Sequence, residues 1–149
     1  MEENKIIDLS LGQVEKKRIR IDGDDNRILL IDTSDLSVTS RLKQAEERME
    51  SLVLRAAEKL ADSDGSIDTS ADVLKEADEE MRACIDYIFN ADVSSVCAPE
   101  GTMFDPFNGK FRFEIIIESL AELYGSQLSI EYRKMSTRVK SKTSKYVGK

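Results

Sequence analysis

The chain has no histidine and no tryptophan, and only two cysteines and two prolines among 149 residues. Without histidine there can be no Ser-His-Asp or Cys-His nucleophile pair, no imidazole proton relay and no histidine-ligated metal site. Cys84 and Cys97 form neither a close pair nor a metal-ligand spacing, so they read as reduced core thiols of a cytosolic protein. No apolar run approaches the ~18 residues that a membrane span needs. The N-terminal MEENKIIDLS is acidic and lacks the basic and apolar regions of a secretory signal. Neither a membrane partner nor a cofactor is expected.

Hydrophobic residues make up 40% of the chain and charged residues 34%, which allows one packed core of ordinary domain size under a heavily charged surface. The net charge of −7 is unevenly spread. Residues 1–132 hold every acidic side chain, 29 of them, against 15 basic ones, a net of −14. Residues 133–149 carry seven basic side chains and no acid, among them Arg133, Lys134, Arg138, Lys140, Lys142 and Lys145. Such a body is a poor nucleic-acid binder, because neutralising phosphates requires a basic face. The basic end reads as a solvated, partly flexible tail. It is also a candidate electrostatic arm toward RNA, an acidic partner or the acidic body of a neighbouring copy.

Hydrophobic periodicity predicts a mainly α fold, a small helical domain with an N-terminal β-hairpin. Ile19 and Ile21 alternate with Arg18 and Arg20, and RILLID (27–32) follows Gly23-Asp24-Asp25-Asn26, so a hairpin is expected over about 16–32. Thr33-Ser34-Asp35 can cap a helix start. From Val38, apolar residues recur at Leu42, Ala45, Met49, Leu52, Ala56 and Leu60, one face of a helix over about 36–61. A second helix is expected over about 71–89, with Glu76, Asp78, Glu79 and Glu80 forming an acidic outer patch. A third is expected over about 112–135, since Gly125 weakens a helix by ~1 kcal/mol without having to end it. Between the last two, residues 90–110 hold both prolines and several large apolar groups. That loop must fold back on the core or present them to a partner.

The motifs of common chemistry fail on their spacing. Asp62 to Asp68 imitates a calcium loop, but aligning Gly65 with its glycine puts Leu60 and Ala71 where the first and last oxygen ligands belong. Gly109-Lys110 is followed by Phe111 rather than a hydroxyl, so it is no phosphate loop. Nothing assembles into a catalytic constellation, and a binding or assembly role is expected rather than an enzyme.

The order of elements carries more information. A hairpin leads into IDTSDLSVTSRLKQAEERMESL, a second helix ends in Ile88-Phe89-Asn90, and then come Gly101-Thr102-Met103-Phe104 and Phe107-Asn108-Gly109-Lys110 before the basic end. From about Arg18 to Tyr124 this resembles the tail assembly chaperones of long-tailed bacteriophages, those of Gram-positive hosts in particular. The resemblance implies a small α-helical protein that binds the tape measure protein, keeps it soluble and helps recruit tail tube protein. It would work in the host cytoplasm and be missing from the mature virion, and a homo-oligomer is expected. Candidate partner-binding residues are Leu42, Met49, Leu52, Phe104, Phe107, Ile115, Leu123 and Tyr124, although a domain of this size needs most such groups for its own core. The rival readings are a nucleic-acid-associated adaptor using the basic C-terminal arm, and a structural tail or connector component.

Overall fold

The structure is a computed structural model that describes residues 4–12, 14–62 and 67–147, with the side chains of 60–70 and of 145 onward left aside. The interhelical calcium-like turn, the Leu60 position and the Lys145 side chain therefore lie outside the described residues. What is described is a mainly α domain of five helices with an N-terminal antiparallel hairpin. No helix is long and apolar enough to cross a membrane.

The hairpin pairs β1 (Lys17–Ile21) with β2 (Asp24–Ile31). Its turn is Asp22-Gly23, both at positive φ, one step earlier than the expected Gly23–Asn26 turn. Two consecutive left-handed residues match the twist of the flanking strands, which favours Asp-Gly there. The register then jumps from Arg20↔Ile28 to Ile21↔Asp24, so Asp25, Asn26 and Arg27 bulge out of the ladder. Beyond the bulge, Leu29 and Ile31 face the core and Leu30 faces out, the period of two expected of a half-buried strand.

Helix α1 (Val38–Asp62) buries Val38, Leu42, Ala45, Met49, Leu52, Val53 and Ala56, and packs against both α2 (Ile67–Phe89) and α5 (Ser126–Val147). Asp35, the last of the three residues expected at the helix start, accepts the Ser37 N–H at 2.9 Å just ahead of α1 and pairs with Arg41. Arg41 also donates to the Ile88 carbonyl at 2.8 Å, tying the start of α1 to the end of α2.

The expected third helix is two helices. α4 (Arg112–Tyr124) ends at Gly125, whose φ of 114° and ψ of −179° suit glycine and almost nothing else. The chain turns there, and α5 packs back against α4 and α1. Residues 133–147 are accordingly not a loose tail. They continue α5, burying Met135, Ser136, Val139 and Thr143. The physical reason is first the apolar stripe of Leu128, Tyr132, Met135 and Val139, and complementary charge adds to it: Arg138 reaches Glu46 and Glu50 of α1 at 2.9 Å each, and Lys142 lies 3.9 Å from Glu50.

That seam holds more carboxylates than it can neutralise. Glu46 is pushed up to about 7 by burial and by the Glu131 carboxyl beside it, against the pull of Arg138. Glu131 is held below its usual range, first by its hydrogen bond from Glu46 and with help from Lys43, Lys134 and Arg138. The Glu46 proton is thus bound more tightly in the folded chain than in the unfolded one. Its contribution is complete below the ordinary carboxylate range and disappears as pH rises through about 7. Urea denaturation at about pH 5.5 and about pH 8 should show Glu46→Gln gaining on the native chain by on the order of 1 kcal/mol at the higher pH, after allowance for solvent screening.

Candidate functional site

The loop between α2 and α4 is held from one face of α2. Asp78, Arg82 and Asp86 recur every four residues and so line up along the helix. Asp78 accepts the Met103 N–H at 2.7 Å and pairs with Arg82 at 2.9 Å. Arg82 donates to the carbonyls of Ser94, Ala98 and Gly101 at 3.2, 2.9 and 3.0 Å. Asp86 accepts the N–H groups of Val93 and Ser94 at 3.0 and 2.8 Å. A row that composition alone assigns to solvent therefore satisfies the backbone of a buried loop, and Asp78 does not belong to an outer acidic patch.

With its polar groups met, the loop buries Val93, Ala98, Met103 and Phe104 around the short helix α3 (Ser94–Cys97). Phe104 meets Phe111 and Phe113 with ring centroids 5.7 Å away in each case. Next comes a miniature hairpin, β3 (Pro106–Phe107) with β4 (Lys110–Phe111), turning on Asn108 and Gly109 at positive φ. Asn-Gly is a strong signal for this turn, so the Phe107–Lys110 motif is a turn signature. Upstream, Asp105 accepts the Thr102 N–H and hydroxyl at 3.1 and 2.8 Å, and the hydroxyl bond is the main cause of its lowered carboxyl pKa. Gly101 sits where a Cβ would lie 2.4 Å from the Asp105 carboxylate.

Between this hairpin, α4 and the tip of the β1–β2 hairpin lies a groove of about 680 Å³. Ile21, Pro99, Phe107, Ile115, Ile116 and Leu120 supply its apolar wall, and Arg20, Arg27 and Arg112 its basic rim, beside Asp22 and Glu100. The β2 bulge explains Arg27, which donates to the Val96 and Cys97 carbonyls at 2.9 and 2.6 Å and so pins the hairpin to α3. Arg112 lies over the Phe107 ring, 4.9 Å from its centroid, and donates to the Glu100 carbonyl at 2.5 Å. The one thiol in the wall, Cys97, is pushed up to about 11 by burial and is therefore protonated near neutrality. The rim arginines are already paired, Arg20 with Asp25, Arg27 with Asp22 and Arg112 with Asp105, so what the groove offers a partner is its apolar wall.

The structure sorts the candidate partner-binding residues into three places. Leu42, Met49, Leu52 and Phe104 are core residues and offer no contact surface in this form; their helical spacing is a packing signal. Phe107 and Ile115 both line the groove, and the i, i+4 row from Ile115 through Ser119 ends at exposed Leu123. Tyr124 is half-buried against Phe89 with ring centroids 5.6 Å apart, and its phenol is pushed up to about 12 by burial and by Asp35 and Asp32. Of the candidate electrostatic residues, Arg133, Lys134, Arg138, Lys140 and Lys142 are exposed on α5, but Arg138 and Lys142 already face acids of α1. Reading along the sequence missed Arg20, Arg27, Arg112, Ile21 and Pro99, which only the bulged register and the folded loop bring together.

No protein-family model matches the chain, no curated protein is similar to it in sequence, and no solved structure matches its fold.

Two substitutions separate core from groove. Phe104→Ala should cost about 3 kcal/mol or more, because it empties a packed site. Phe107→Ala, at a ring left 42% exposed, should stay within about 1 kcal/mol. Denaturant melts of both variants check the contrast. Arg82→Ala should cost roughly 3 kcal/mol by taking the ion pair from Asp78 and the donors from three loop carbonyls. It should also speed amide exchange across 93–104.

Proposed function

We propose that the protein is a non-enzymatic tail assembly chaperone. In the host cytoplasm it binds the tape measure protein, keeps it soluble, helps recruit tail tube subunits and is left out of the finished virion. The resemblance over Arg18–Tyr124 supports this reading, and the observation that carries it is the groove between the hairpin tip and α4.

A long helical rod exposes apolar stripes that aggregate until the tube covers them. A helper for such a rod needs a concave apolar strip, in the manner of a helix laid in a groove. One turn of a helix 10–12 Å across occupies about 500 Å³. A groove of about 680 Å³ thus takes one stripe of side chains and leaves the rest of the rod free for further copies or for tube subunits. The Ile115–Leu123 row extends the strip along α4. The net charge of −7 keeps the complex dispersed. The internal pairing of Arg138 and Lys142 argues against a free nucleic-acid arm.

Co-expression tests the reading. The native chain should bring the tape measure protein into the soluble fraction, while Phe107→Ser combined with Ile115→Asp should fold and fail to do so. Equal yields with both chains, or no soluble complex with either, would overturn the proposal.

A further inference from the structure

The seam between α1 and α5 keeps its acids inside and its cations outside. The side chains of Glu46, Glu50 and Glu131 are each 13% exposed, while those of Arg138, Lys142 and Lys43 are 42–63% exposed. Of these cations only Arg138 comes within hydrogen-bond distance, at 2.9 Å from both Glu46 and Glu50. Lys142 and Lys43 stay 3.9 Å from Glu50 and Glu131. Lys134 is exposed on α5, and α2 sends Glu80 to Arg48 and Arg55 rather than into this seam. Arg138 serves the Oε2 of Glu46, and the other oxygen, Oε1, is buried and meets no donor among the described residues. Leaving a buried oxygen unmet costs on the order of 1–3 kcal/mol, and more when it is charged. Beside it lies the Glu131 carboxyl, and two carboxyls bond to each other only when a proton lies between them.

The far end of α5 has little else to hold it. α4 has 13 residues and the chain folds back after it, so α4 accompanies α5 only to about Arg138. Beyond that the helix leans on α1, and from Thr137 to Ser144 the buried side chains are Val139 and Thr143 alone. A segment with so few apolar contacts opens ahead of the rest of a domain.

We propose that Glu46 and Glu131 form a proton-dependent latch: one proton shared between their carboxyls holds α5 closed on α1, and its loss lets Thr137–Ser144 lift away so that water reaches Glu46. In the closed form without that proton a further charge is buried, and one guanidinium stands among three carboxylates. Lifting the helix relieves both. The raised carboxyl of Glu46 and the lowered one of Glu131 agree with a proton resident on Glu46. The latch is therefore closed at acid pH and weakens as pH rises through about 7. Opening bares Val139 and the flank of α1 that carries Glu46 and Glu50. The latch shares no residue with the groove, so the inference does not rest on the chaperone reading.

Amide hydrogen exchange of the full chain at about pH 6 and about pH 8.5, corrected for the intrinsic base dependence of exchange, tests the latch. Protection across 137–144 should fall at least about tenfold between the two, the equivalent of one pKa unit, while α2 and α4 change less than about twofold. Glu46→Gln, which gives the buried site an N–H donor and no charge, should hold that protection level at both pH values. Glu131→Gln should do the same from the α5 side. Unchanged protection across 137–144 in the native chain would overturn the proposal, as would an equal fall in all helices or a fall that persists in either glutamine variant.

Discussion

Helix α1 has two neighbours to satisfy, α2 on one side and α5 on another, and the whole domain rests on its doing so. Its apolar stripe is wider than a coiled-coil seam because Val53 adds to the Leu42–Met49–Leu52–Ala56 line. Burying an aliphatic side chain is worth about 1.5–3 kcal/mol, and most of those on α1 among the described residues are committed inward. The charged side of the same helix is used as well, since Glu46 and Glu50 hold Arg138 of α5. Part of the acidic body and part of the basic end thus meet in one internal seam. Their separation along the sequence records which helices meet.

The second constraint is polar. A loop of some twenty residues with buried apolar groups leaves backbone donors and acceptors away from water, where each unmet one costs on the order of 1–3 kcal/mol. Asp78, Arg82 and Asp86 meet several of them from a single face of α2. The miniature hairpin after that loop sets Phe107 in the groove that Ile115 also lines, and the bulge in β2 swings Arg27 across to α3. The groove is where the two devices meet.

The mainly α class, the N-terminal hairpin and the helical stripes are legible in the sequence because periodicity reports burial directly. The groove is legible only in part. Phe107 and Ile115 stand out as large apolar residues at irregular positions, but Arg27 and Pro99 reach the site through a register jump and a loop path that no spacing rule encodes. Leu42, Met49 and Leu52 mislead in the opposite sense, because a stripe offered to a partner and a stripe packed in a core have the same period. Gly125 shows a different limit. Its cost within a helix is small, so only the observed φ of 114° reveals that the chain turns there.

An account in which core, seam and loop leave one concave strip for a client is tested most directly by mapping where that client touches. Amide hydrogen exchange of the full chain, alone and saturated with tape measure protein, supplies the map. Protection should rise at 20–22 and across 99–123, with the α1–α5 seam unchanged. Protection concentrated along the basic side of α5, with 99–123 unaffected, would contradict the account.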